Sequence, residues 1–405
     1  LQRLKLLYAA VFLMQFGGSA GVTGLPLQAK VSFGTSFWGL AFIGIAGPLV
    51  YTVTCLLVGR AKGRVNRTVL VVSGTAIMAA TFALACLAKN TGHLVLACAG
   101  QGIGAGLFWP MIEAAIVEGT AGRAVMKRVG VFNISWSLGD AIGTASAGFL
   151  FAVHPALPYV VLVVMMGGVL GCVAAARRLP IGVPNGWAAA NGDRPADRQL
   201  NAGFRKAAWV GNFVGAGVVN VLRSVFTAPA RDVFKMSAPA IGLVIGTFNA
   251  TRTLTFFVLG RRQGWRYRRA AFLAVNSLIA IGMVSVVAAS LLPQGLAIAV
   301  VFASFAAAGV GSGMTYFSSI FYTIDRKEAA EATAPMHEAV LGAGGAVAAA
   351  AAGLTNQMAS SALSPLIMCA AAVAVGMAFS ARYIKAGLSK PNILEDSPAR
   401  DYPEQ

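Results

Sequence analysis

The sequence predicts an all-α integral membrane protein in which twelve transmembrane helices form two pseudo-symmetric six-helix bundles. Three observations carry that expectation. Of 405 residues, 57% are hydrophobic and only 11% charged, against ~25% charged residues in soluble domains. The apolar residues gather into runs of spanning length, because a hydrocarbon core ~30 Å thick takes about 20 helical residues rising ~1.5 Å each. A basic phrase, GRAKGRVNRT at 59–68, also returns as GRRQGWRYRR at 260–269, each time between two apolar runs.

The first run, near 6–27, follows LQRLKLLY and resembles a signal peptide in outline. It continues beyond 20 apolar residues with no small-residue cleavage site, so it is read as a retained span. Spans near 37–58 and 69–88 flank the first basic phrase. The fourth, 93–117, contains GIGAGLFWP (102–110), and the tenth, 295–322, contains GVGSGMTYF (309–317) with three glycines at the same spacing. Glu118 and Asp325 follow those glycines at equal distances. SLGDAIG (137–143) in the fifth span, 129–151, faces VLGAGGA (340–346) in the eleventh, 334–354. The remaining spans are expected near 158–176, 207–228, 239–259, 270–292 and 363–381. Near-constant offsets between these matches mean one six-span unit used twice. The expected organisation is an N-terminal bundle over 1–180, a polar cytoplasmic linker over 181–205, a C-terminal bundle over 206–388 and a cytoplasmic tail over 389–405.

The net charge of +18 first invites a nucleic-acid partner, but its distribution argues for topology. With the N-terminus inside, cytoplasmic segments carry 26 of the 32 Lys and Arg, and outside loops four. This is a positive-inside pattern, placing both termini in the cytoplasm and the protein in a cytoplasmic (inner) membrane. The five cysteines lie inside apolar runs with no CxxC pair and read as small buried hydrophobes. The glycine-rich stretches have no preceding strand and no GK[ST], so they read as close helix packing rather than a phosphate loop. No nucleotide site, cofactor, metal cluster or nucleophile–base pair is expected, and neither is an enzyme.

On its twelve spans, central linker and doubled loop, the chain resembles the major facilitator superfamily over about residues 5–385. That family's loop between spans 2 and 3 reads approximately G-x-L-x-D-R-x-G-R-[RK]. Gly59, Arg64 and Arg67 match it, while Gly63 stands where the family has Asp and Asn66 where it has Gly. The resemblance implies a cytoplasmic gate built from Gly59, Arg60, Arg64, Arg67, Gly260, Arg261, Glu118 and Asp325, its latch made differently from the family's. Two antiporter hallmarks are altered. Cys98 stands near the place of the span-4 Arg, and GDAIGT keeps Gly139 and Gly143 with Asp140 in place of Pro and Thr144 in place of the last Gly. The family's cavity is lined by spans 1, 4, 7 and 10, which implies Gln15, Gln101, Trp109, Asn212, Asn220 and Tyr316 near it.

Ionisable groups within spans cost roughly 2.5–3.5 kcal/mol each at mid-bilayer, so each needs a reason. Asn133, Ser137, Asp140 and Thr144 share one helix face at i, i+4, i+7, i+11. Asp140 is read either as a cap or hydrogen-bond partner of a neighbouring helix, or as a proton or substrate contact. Glu113 shares a face with Trp109, and Glu338 follows His337 at the inner end of span 11. Arg223 and Arg252 are buried cations that cannot deprotonate and need a carboxylate (Asp140, Glu113 or Glu338) or an anionic ligand. Trp109 and Tyr316, at matched places in the two halves, are either packing or aromatic walls for a substrate.

The leading expectation is a monomeric secondary transporter that exports an amphipathic small molecule, coupled to protons carried by Asp140 or Glu113. An organic-anion transporter using Arg223 and Arg252 is the alternative, and a non-transporting membrane receptor or assembly protein the third.

Overall fold

A computed structural model describes residues 2–61, 65–118, 123–178, 195–262, 264–324 and 330–388. Among them every regular element is helical. The order is α1 (Gln2–Ser32), α2 (Phe37–Arg60), α3 (Arg67–Ala85), α4 (Thr91–Val117), α5 (Arg123–Val153), α6 (Leu157–Arg177), α7 (Pro195–Ser224), the short α8 (Thr227–Asp232), α9 (Ala238–Arg261), α10 (Arg269–Ala289), α11 (Gln294–Ile324), α12 (Ala330–Ala359) and α13 (Ser364–Leu388). Twelve are long, and ten of these contain a window apolar enough to cross a membrane. The two that fall short are α5 and α7, which carry Asp140 and Arg223. Helix α7 also starts at Pro195, so part of the stretch expected as linker is helical. Arg64 and Asp325 lie outside the described residues.

The twofold plan is visible in the packing. Helix α1 packs on α5 and α6, α4 on α2 and α3, and α3 on α6. In the second half α7 packs on α12 and α13, α11 on α9 and α10, and α10 on α13. Helix starts repeat too. The Ser36 hydroxyl accepts from the Gly39 N–H and the Ser237 hydroxyl from the Ala240 N–H, both at 3.4 Å, capping α2 and α9. Those serines are separated by the same interval as Gly59 and Gly260. In α4, a Cβ on Gly102 or Gly106 would run into α2 (Gly47, Thr54), while one on Gly104 would meet α3 (Gly74, Met78). In α11 the same three places face α9 (Gly309 on Phe248, Gly313 on Thr255) and α10 (Gly311 on Ile279). The glycine motifs are therefore helix-packing devices, each half using its own copy.

The outward surface is apolar. Phe42, Leu49, Leu84, Leu96, Leu254, Ile281 and Val284 are exposed among many others. Water would not tolerate so continuous a patch, and a bilayer needs it.

The halves join along two seams, α5 with α9 and α2 with α12. At the face opposite the basic loops, α5 and α9 meet backbone to backbone. A Cβ on Gly148 would collide with the Ala238 carbonyl, and one on Gly246 would sit 2.7 Å from the Ala145 Cβ. Lys30 pairs with Asp232 at 2.8 Å on that face. Toward the basic face, Val129 of α5 and Ile320 of α11 form a small apolar cluster with Val117 and Tyr316.

Candidate functional site

Asp140 is fully buried and is the hub of the molecule's centre. An Arg223 Nη2 from α7 straddles both carboxylate oxygens, and Arg252 Nη2 from α9 meets Oδ2. Ser19 of α1 donates its hydroxyl to Oδ1 and accepts from Gln15 Nε2 at 2.9 Å. One turn along α5, the Thr144 hydroxyl accepts from Asn249 Nδ2 at 3.1 Å, tying α5 to α9 a second time. The sequence left three carboxylates as possible partners of the arginines; both take Asp140. Charge-assisted contacts of this kind are the strong ones, and they satisfy a group that the bilayer would otherwise expel.

The cluster does not balance. Two guanidiniums share one carboxylate, leaving a formal charge of +1, and among the described residues the buried Nε atoms of both Arg223 and Arg252 have no hydrogen-bond partner. The Arg252 guanidinium lies 4.8 Å from the Trp136 ring centroid, where the ring face offers it further stabilisation. Arg223 is the more accessible, with 19% of its side chain exposed against 6% for Arg252.

A cavity of about 250 Å³ opens onto this cluster. Asp140, Arg223, Arg252, Asn220, Gln101, Trp109, Tyr316 and Glu338 line it, as do Gln15 and Asn212. Asn220 Nδ2 donates to the carbonyls of Gly44 and Gly345, both at 2.8 Å, and so also bridges the halves. The walls are aromatic, but not as a simple Trp109–Tyr316 pair. Trp109 packs edge-on against Phe108 and Phe132, while Tyr316 packs on Trp136 with centroids 4.9 Å apart. The volume falls just below the ~300–1,000 Å³ of drug-sized ligand pockets, which suits a small organic molecule.

Two candidate residues sit off the cavity wall. Asn133 is fully buried and its Oδ1 accepts from Trp136 Nε1 at 3.0 Å, holding the indole in place. Glu113 does not line the cavity, and among the described residues its buried Oε1 has no hydrogen-bond partner. The Tyr51 hydroxyl of α2 donates to Glu338 Oε2.

At the basic face, Arg67 Nη1 donates to Glu118 Oε1 at 3.1 Å, and Arg3 lies 3.8 Å from its other oxygen. Arg128 donates to the Ile116 and Glu118 carbonyls at the end of α4. A Cβ on Gly59 would be 3.2 Å from Pro335 of α12, so this glycine sits against the opposite half. Arg60 and Gly260 are exposed. Arg261, also exposed, stacks over Phe257 with its guanidinium carbon 3.5 Å from the centroid.

Sequence reasoning missed Trp136, Ser19 and Tyr51. Trp136 stands four residues before Asp140, on the same helix face, and that spacing was the available signal. Ser19 and Tyr51 carried none, since a lone hydroxyl in an apolar run is ordinary.

Known proteins share this architecture. The chain is 28% identical over 144 residues to the multidrug transporter protein MdtP of Bacillus subtilis (strain 168), a match spanning 36% of this chain and 26% of that relative. A bacterial homologue of the human lysosomal transporter Spinster, solved inward-facing and unoccupied, superposes with a TM-score of 0.65 at 16% identity, over 96% of this chain and 98% of that one. The human organic anion transporter MFSD10 (TETRAN) does so with a TM-score of 0.62 at 15% identity, over 94% and 99%. These two likenesses concern the fold. The sequence model of the Major Facilitator Superfamily matches residues 7–349. The chain is a multi-pass membrane protein of the Major Facilitator Superfamily.

Proposed function

We propose that this protein is a secondary active transporter of a small amphipathic organic anion, bound between its halves by Arg223 and Arg252. The observation that carries the reading is the unbalanced cluster, in which two buried guanidiniums face a cavity with one carboxylate between them. A buried cation without its full complement of partners favours an anionic ligand. Trp109, Trp136 and Tyr316 supply apolar surface for the rest of that ligand. Because both Asp140 oxygens already meet guanidiniums, the geometry supports Asp140 less as a free proton carrier for a cationic cargo. The arginines and Asp140 come from opposite halves, so a ligand carboxylate that takes over one guanidinium loosens the tie between them. Binding thereby biases the relative position of the halves, as alternating access requires. The positive-inside pattern of the sequence supports a cytoplasmic basic face and cytoplasmic termini.

The test is thermal melting of the purified protein in detergent against small organic anions and lipophilic cations. A ligand of the folded state raises the midpoint, by ~2.7 kcal/mol of stabilisation at a hundred times Kd. Anions are expected to stabilise the wild type and to lose that effect in Arg252→Ala. Stabilisation by cations that depends on Asp140 would sink the proposal.

A further inference from the structure

We infer that the molecule bound in the central cavity carries a protonated amine as well as its acidic group, and that Glu338 receives the amine. The inference rests on the anion reading above and extends it to a second wall of the same cavity.

Glu338 stands on α12, is 4% exposed, and lines the cavity that Arg223 and Arg252 line. Its Oε2 accepts the Tyr51 hydroxyl, which steadies a carboxylate without cancelling its charge. Among the described residues no Lys or Arg pairs with Glu338, since both buried arginines are held by Asp140. The basic side chain beside it is His337, whose Nε2 lies 4.0 Å from Glu338 Oε1. That is beyond hydrogen-bonding reach. The same Nε2 has no hydrogen-bond partner, and the other ring nitrogen is 3.1 Å from the Ser319 hydroxyl. A carboxylate buried this deeply without a cation is costly. Its open side is the cavity, so the missing cation is one that the ligand brings.

A charge count over the whole cavity agrees. Among the described residues, the charged types lining it are Asp140, Glu338, Arg223 and Arg252. With both carboxylates ionised, their formal charges cancel. A ligand carrying an acid alone would add an uncompensated negative charge to this enclosed site, whereas one carrying an acid and an ammonium adds none. The acid then meets the guanidiniums, the ammonium meets Glu338, and each pole has a charge-assisted partner.

Aromatic rings set the separation of the poles. The Arg252 guanidinium lies 4.8 Å from the Trp136 centroid, the Trp136 and Tyr316 centroids are 4.9 Å apart, and those of Tyr316 and His337 are 5.4 Å apart. His337 directly precedes Glu338. Trp136 and Tyr316 both line the cavity, so two aromatic side chains stand between the arginines and Glu338. The ligand that fits has its acid and its amine at opposite ends of an apolar spacer, and the spacer packs on those rings.

Thermal melting of the purified full chain tests this with three probes: phenylbutyrate, its para-aminomethyl derivative and phenylbutylamine. Both acids are expected to raise the wild-type midpoint, the derivative at a half-saturating concentration about tenfold lower, from one added charge-assisted hydrogen bond. Glu338→Gln is expected to close the gap between the two acids, and Arg252→Ala to abolish the response to both. Equal half-saturation of the two acids in the wild type overturns the inference and leaves the anion reading standing. That comparison needs no variant, so it decides the matter even if Glu338→Gln does not fold. A tenfold gap that survives in Glu338→Gln overturns the role of Glu338. No response to either acid refutes the anion reading and the inference with it, and a response to phenylbutylamine that Glu338→Gln removes would then make the site one for cations.

Discussion

Removing the carboxylate of Asp140 and removing one of its arginines are not equivalent perturbations. The wild-type cluster carries a formal +1, from two guanidiniums and one carboxylate. Asp140→Asn raises that to +2 while keeping the side chain's shape. Breaking a buried pair by deleting one partner costs about 3–5 kcal/mol, and here the upper end applies, because two buried cations are left facing each other. Arg223→Gln takes the cluster to zero and leaves Asp140 paired with Arg252 and hydrogen-bonded to Ser19. Its cost is expected to be about 1.5–3 kcal/mol, the net worth of a hydrogen bond to a charged group, and the Arg223 side chain is also the more exposed. The double variant Asp140→Asn/Arg223→Gln returns to +1 and should recover at least about 1 kcal/mol relative to Asp140→Asn, within the range of coupling between residues in one network. The assay is equilibrium unfolding in mixed detergent micelles, with the four proteins compared as a cycle. Equal destabilisation by Asp140→Asn and Arg223→Gln would refute the argument, since it would mean that neither cation is in excess.

Other expectations are more local. Trp136→Ala removes the ring beside Arg252 and opens a cavity, at a cost of about 3–5 kcal/mol, whereas Trp136→Phe keeps a ring face and should lose less than half of that; chemical denaturation separates them. Lys30→Ala deletes a pair whose Asp232 partner is half exposed, so the melting midpoint should fall by the equivalent of less than ~1 kcal/mol, and less still at high salt. Gly148→Val forces a branched side chain onto the Ala238 carbonyl and should cost about 1–3 kcal/mol by overpacking, read as a lower melting midpoint.

The fold was legible because a bilayer demands long apolar runs, and the doubled loop and glycine motifs set the two halves in register. Helices α5 and α7 are not apolar enough throughout to read as spans on composition alone, because the buried charges Asp140 and Arg223 lie within them. The site was legible in parts. A charge in an apolar run stands out, so Asp140, Glu113, Glu338, Arg223 and Arg252 were all identified as candidates. Which charges meet was not legible, because it depends on helix rotation and on contacts more than eighty residues apart in sequence. Helical spacing puts Glu113 on the Trp109 face, yet Trp109 lines the cavity and Glu113 does not. Tyr51 was invisible because its role exists only once α12 lies against α2.

The glycine seam between α5 and α9 has a mechanical meaning. Helices usually lock through side chains of one seated in the grooves of the other, and they cannot roll without unseating them. Where Gly148 meets Ala238 and Gly246 meets Ala145, almost nothing is seated. The two backbones there form a smooth knuckle that permits tilt while holding the axes close. A contact of this kind leaves little side-chain packing to break when the two axes tilt, and the Asp140 cluster lies farther along the same seam toward the basic face.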